Sequence, residues 1–158
     1  MRAFVMMSTC VVLLSASIFA ASPGNSPGAG SHAADDKALR DLVDRTVAAA
    51  GRRDIAEYSK YYAHKWISAL PGEPIKEETG PLKFQFPKGY AIKMVTTHTQ
   101  FSDAGDLGYA AGTYEQDAPD KKTGALTHTV GKWMSVFKKQ PDGSWGAVFD
   151  TFNVDPAP

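Results

Sequence analysis

Apolar positions along this chain follow three successive regimes. The first is an unbroken greasy run: after Met1 and Arg2, positions 4–21 are apolar or small, with Val11, Val12, Leu13, Leu14, Ile18 and Phe19 at the centre. The second has helical spacing. Leu39, Leu42, Val43, Val47 and Ala50 recur at steps of three and four, which predicts a helix of about four turns that opens at Asp35-Asp36 and stops at Gly51. Asp54, with Glu57 at the reciprocal capping position, predicts a second helix with Ile55, Tyr58, Tyr61 and Tyr62 along one face. The short Gly51-Arg52-Arg53 link makes the pair a helical hairpin.

The third regime is β-like. Lys65 to Leu70 reads as a short strand ended by the Pro71-Gly72 turn. Positions 73–89 hold Pro74, Pro81, Pro87, Gly80 and Gly89, so a loop is expected there, with at most one helical turn near 76–79. Positions 90–101, 107–116, 126–139 and 145–154 are rich in Thr, Val, Tyr, Phe and Trp and are separated by turn sequences containing Gly105, Gly124 and Asp142-Gly143. Four long strands with short connections predict an antiparallel meander. Gly108, Gly112 and Gly131 inside those strands mark bulges or bends, so the sheet should curve. The expected fold is therefore α+β: a cone-shaped curved antiparallel sheet, made of the meander plus a short first strand, packed on two N-terminal helices.

The front of the chain changes the picture of where this domain works. A short positive start, an apolar centre and the small residues Ala20, Ala21 and Ser22 before Pro23 have the form of a cleavable signal peptide over 1–21. About 18 apolar residues also approach the length of a bilayer span, but the single flanking charge and the Pro-Gly sequence beyond favour cleavage. Positions 22–34 (SPGNSPGAGSHAA) offer nothing to bury and read as a flexible tether. The expectation is a periplasmic or secreted protein, free of the membrane once cleaved, with its domain over 35–155. Cys10 is the only cysteine and falls in the apolar run, so the domain has no thiol and no disulfide.

Charge and motifs narrow the chemistry. The 158 residues carry 17 Lys and Arg against 17 Asp and Glu, with basic pairs scattered, so no nucleic-acid face is expected. The histidines, at 32, 64, 98 and 128, have no ligand spacing, and no phosphate loop or nucleophile elbow occurs, so neither metal nor cofactor is expected.

Two stretches carry a family likeness: Gly105-Asp106-Leu107-Gly108-Tyr109 with Gly112-Thr113-Tyr114-Glu115, and Gly131 to Lys139 running through Pro141-Asp142-Gly143-Ser144-Trp145 to Asp155. With the element order, the chain from about 35 to 155 resembles the nuclear transport factor 2-like superfamily, in its ketosteroid-isomerase-like and SnoaL-like branch. That resemblance implies a conical fold with a pocket at its wide end, frequent homodimers, and members that include isomerases, cyclases and dehydratases. It also implies a third helix where this chain has its Pro-rich stretch, so the roof should be either open or closed by Phe84 and Phe86.

Isomerase chemistry requires a carboxylate and oxyanion donors. Asp150 is the candidate base, because alternation puts it on one face with Val148 and Phe152; a solvated or capping aspartate is the competing reading. His128 is a second candidate, although Lys132 and Lys138 share its face with Val130, Met134 and Val136, and a structural or exposed histidine is the alternative. His64 could reach the pocket mouth. Expected pocket residues are Tyr58, Tyr62, Trp66, His98, Tyr109, Trp133, Phe137 and Asn153, enclosing a hydrophobic small molecule. The rival reading is a non-enzymatic envelope interaction or dimerisation module.

Overall fold

The computed structural model describes residues 32–120 and 122–156. The segments expected to be a signal peptide (1–21) and, for the most part, a tether (22–34) lie outside the described residues. Helix α1 (Ala33–Arg52) starts two residues before the aspartates predicted to open it. Asp35 and Asp36 instead occupy its first turn, where the unpaired amides favour negative charge. The helix also passes through Gly51 and ends at Arg53, which takes the left-handed conformation (φ 58°). Asp54 caps α2 (Ile55–Ser59) by accepting from the Glu57 amide, as predicted. That helix is only 5 residues long, so Tyr61 and Tyr62 leave the helix; Tyr62 opens strand β1 (Tyr62–Ala69).

One sheet follows, with β2 (Lys76–Thr79), β3 (Ala91–Phe101), β4 (Leu107–Pro119), β5 (Leu126–Lys139) and β6 (Trp145–Val154). Its order is β2-β1-β6-β5-β4-β3. The predicted meander is present. The sheet is mixed rather than wholly antiparallel, because β1 returns parallel to β6, and the turn expected at 76–79 is an edge strand against β1. Four residues suffice for an edge strand where Pro74 and Gly80 bound it.

The inward face of the sheet meets α1. Leu39, Val43 and Phe137 are fully buried, joined by Leu42, Tyr61, Ala110, Tyr114, Trp133, Trp145 and Ala147. Each buried Leu, Val or Phe side chain contributes roughly 1.5–3 kcal/mol. Arg40 donates to the Thr96 carbonyl at 2.9 Å while Asp36 accepts from Thr99, so a polar latch fixes the helix across β3.

Two β-bulges set which residues look inward. On β6 the register slips at Val148: Phe137 stands opposite Ala147, but Val136 stands opposite Phe149 and Ser135 opposite Asp150. Trp145 and Ala147 lie on the inward face with the core, and after the extra residue Asp150 and Phe152 lie on that face at the cavity. Val148 therefore does not share their face in the regular way that alternation predicted. On β3 the slip falls at Thr97, so Thr96 lies opposite inward Gly112 but His98 opposite outward Ala111. The β3 backbone presses on β4 here: a Cβ on Gly112 would stand 1.7 Å from the Val95 carbonyl oxygen. Only glycine fits under that bend.

Candidate functional site

A cavity of about 340 Å³ lies between the sheet, α2 and the Pro-rich segment. That is at the small end of the range for ligand sites, roughly 300–1,000 Å³. Its floor is a chain of polar groups. The Tyr61 hydroxyl donates to Ser135 Oγ at 2.8 Å, Ser135 Oγ donates to Asp150 Oδ1 at 2.5 Å, and the Tyr62 hydroxyl donates to Asp150 Oδ2 at 3.1 Å. Three strands assemble it: β1 supplies Tyr62 just after Tyr61, β5 supplies Ser135, and β6 supplies Asp150 through its bulge.

Electrostatics follow from this placement. Asp150 lines the cavity, and burial pushes its carboxyl above the usual value, partly countered by the Ser135 and Tyr62 hydrogen bonds. The Tyr61 and Tyr62 phenols are driven well above their ordinary range by burial first; the next cause is the Asp150 charge for Tyr61, and the neighbouring Tyr58 and then Asp150 for Tyr62. Tyr58 moves the same way for the same leading reason, and burial pushes Tyr90 up to about 12. The phenols therefore hold their protons at any physiological pH and act as donors, while Asp150 is the group able to exchange one.

The roof is the Pro-rich segment. The Leu82 amide donates to Ser59 Oγ at 3.2 Å, the Gly80 amide donates to the His64 carbonyl at 2.8 Å, and Tyr58 meets Phe84 and Phe86 edge-on at 6.1 and 5.1 Å. Phe84 and Phe86 close the space where the resemblance implied a helix, with Leu82 and Phe84 lining the cavity itself.

Of the pocket residues expected from sequence, Tyr58, Tyr62, Trp66 and Trp133 line the cavity with Asp150. Others do not. Phe137 is fully buried beneath Tyr61 as core, their rings 5.3 Å apart. Tyr109 is on the outward face of β4, its hydroxyl donating to Gln100 Oε1. His98 is put on the outward face by the Thr97 bulge, Nδ1 beside Thr97 Oγ1 at 2.9 Å. Asn153 is exposed and donates to Asp155. His128 is also exposed on the outward face, 2.7 Å from Asp117, so it cannot serve as a base inside the cavity. His64 is exposed on β1.

Sequence reasoning missed Ser135, Glu78, Tyr90 and Gln116. Ser135 had a readable mark: a lone hydroxyl between Trp133 and Phe137 on one face of a strand is a polar group at a core position, which requires a partner. Among the described residues no group of three or more His, Cys, Asp or Glu could hold a metal ion.

The architecture is that of the nuclear transport factor 2-like, ketosteroid-isomerase-like fold. A ketosteroid isomerase-like protein of Erwinia carotovora atroseptica SCRI1043 superposes with a TM-score of 0.60 at 14% identity, over 77% of this chain and 96% of that one. A nuclear transport factor 2-like superfamily protein of Salmonella enterica serovar Typhimurium LT2 gives 0.59 at 15%, over 78% and 94%. A hexachlorocyclohexane dehydrochlorinase of Novosphingobium barchaimii LL02 gives 0.60 at 12%, over 78% and 88%. At such identities the likeness is one of fold alone. No family model matches the chain, and no curated protein matches it.

Proposed function

We propose that this chain is an exported small-molecule-binding domain whose cavity presents Asp150 to an apolar or partly polar ligand, with acid–base chemistry of the isomerase, cyclase or dehydratase kind within its reach. One observation carries this reading: a single carboxyl with a raised pKa stands at the floor of an aromatic cavity, held by two hydroxyl donors. A carboxyl displaced towards neutrality can both take and return a proton. Protonated phenols of Tyr58 and Tyr90 in the same walls are suited to stabilise a developing oxyanion. Two fold neighbours, a ketosteroid isomerase-like protein and a hexachlorocyclohexane dehydrochlorinase, carry names that agree with proton-moving chemistry. Export rests on the leader at 1–21.

The test is a thermal-shift panel of steroids, aromatic polyketides and lipids on the protein and on Asp150→Asn. Stabilisation by at least one member supports a binding cavity. No shift with any member refutes it. Where turnover is found, an unchanged rate in Asp150→Asn removes the proposed base.

A second reading concerns the outward face, where Val95, Val130 and Met134 are 46%, 41% and 39% exposed beside a groove of about 480 Å³ lined in part by His98, Ala111 and Met134. Apolar side chains contiguous on one sheet face favour association with a second copy. Light scattering across a concentration series tests it; a monomer at every concentration rejects the homodimer.

A further inference from the structure

The charged groups in the cavity walls are all of one sign. Three carboxyl groups line it, those of Glu73, Glu78 and Asp150, and among the described residues no lysine, arginine or histidine does. Lys76, on the same edge strand as Glu78, is paired with Glu73 at 2.6 Å. The Glu78 carboxylate makes no ion pair or hydrogen bond of its own with the described residues and feels Lys76 only at longer range. Around these groups stand the rings of Tyr58, Tyr62, Trp66, Phe84, Tyr90 and Trp133.

The strand register fixes the layout. Glu78 on β2 faces Trp66 on β1, and Asp150 on β6 faces Ser68, two residues further along β1. Two strand spacings across and two residues along separate the Glu78 and Asp150 backbones by about 12 Å. The cavity thus has a hydrogen-bonding end at Asp150 and a negatively charged, aromatic end at Glu78.

Resting on the reading of this cavity as a small-molecule site, we propose that its ligand is an organic cation: an alkyl- or arylammonium ion. Its charge sits at the Glu78 carboxylate against Trp66, the cross-strand neighbour of Glu78, and its apolar body lies along the remaining aromatic lining. Aromatic faces attract a desolvated ammonium through the ring quadrupole, an attraction that a neutral isostere of the same shape does not have. An anionic ligand meets only like charge in these walls, with no cation to pair with.

Titration calorimetry with three probes tests the proposal on the full chain: phenyltrimethylammonium, its neutral isostere tert-butylbenzene, and the anion 3-phenylpropanoate. The ammonium is expected to bind at least about tenfold more tightly than tert-butylbenzene, and the anion more weakly than both. Glu78→Gln should cut the ammonium-to-neutral ratio by about threefold or more and leave tert-butylbenzene binding unchanged. Equal affinities, tighter binding of the anion, or a ratio untouched by Glu78→Gln overturns the organic-cation proposal. In each of those cases binding of a neutral probe leaves the small-molecule reading standing. If none of the three probes and no member of the broader panel binds, both readings fail. The comparison of probes on the unaltered chain decides the matter even if Glu78→Gln does not fold.

Discussion

Asp150→Asn is the substitution that interrogates the site most directly, because it removes a charge while keeping shape. In the native protein the carboxyl accepts from Ser135 at one oxygen and from Tyr62 at the other. An amide preserves one acceptor, and its NH2 group can be received by whichever hydroxyl turns its own proton away, so both contacts survive as neutral hydrogen bonds worth about 1 kcal/mol each. What disappears is the ionised form in a poorly solvated place, whose cost is of the order of a few kcal/mol. The sign with pH follows from the raised pKa. Below the unfolded value, near 3.8, Asp150 is protonated in both states. As pH climbs, the unfolded chain ionises first, and the native state loses stability until the pH passes the folded value. Asn has no such dependence, and all other groups cancel when the two proteins are compared. Asp150→Asn is therefore expected to match the native protein within about 1 kcal/mol at pH 3.5 and to exceed it by about 1–3 kcal/mol at pH 8. That corresponds to a melting temperature higher by roughly 4 °C per kcal/mol for a domain of this size. Urea melts of both proteins from pH 3.5 to 8 provide the measurement. A pH-independent difference, or a variant that grows less stable relative to the native protein as pH rises, refutes the claim that burial dominates the Asp150 carboxyl.

Ser135→Ala removes the fully buried link between Tyr61 and Asp150 and is expected to cost about 1–3 kcal/mol, read by urea denaturation at pH 7; a neutral result means the chain of hydroxyls is not closed in solution. Gly112→Ala drives a methyl into the Val95 carbonyl and should cost at least about 2 kcal/mol, with new exchange at the β3 and β4 amides in NMR; wild-type stability would show that the β3 bulge relaxes freely. Leu39→Ala empties a fully buried position under α1 and should cost about 2–5 kcal/mol in the same melts. Asp35, held low first by Lys139, and Asp36, held low first by Thr99, both have depressed carboxyls. Each stabilises the fold above the unfolded value of 3.8 and loses that contribution as pH falls through its lower folded value, so Asp36→Asn should flatten the acid limb of the pH–stability curve.

The legibility of this fold depended on which features are carried by many residues and which by one. The α1 stripe, the Asp54 cap and the four meander strands each rest on repeated spacing, and they appear within a few residues of where the pattern put them. Strand β2 was not legible: KEET is short and exposed, and it becomes a strand because β1 offers it an edge. The site turned on still less. Simple alternation places Asp150 with Phe152 correctly, yet it also adds Val148, and it cannot show that Trp145 and Ala147 belong to the same inward face. Counting forward from Trp145 and Ala147 without a bulge would have turned Asp150 outward. Counting forward from Ile92, Met94 and Thr96 on β3 would have turned His98 inward, where the extra residue Thr97 sends it out. Each bulge is a single inserted position whose sequence mark lies on a different strand: Gly112, which alone admits the bent β3 backbone, and Ser135, the polar residue among inward aromatics that meets Asp150 only after the slip at Val148. Cross-strand marks of this kind are read by asking what a misplaced glycine or hydroxyl needs from its neighbour. For Asp150 that question leads to the cavity floor, and for His98 and His128 it leads away from it.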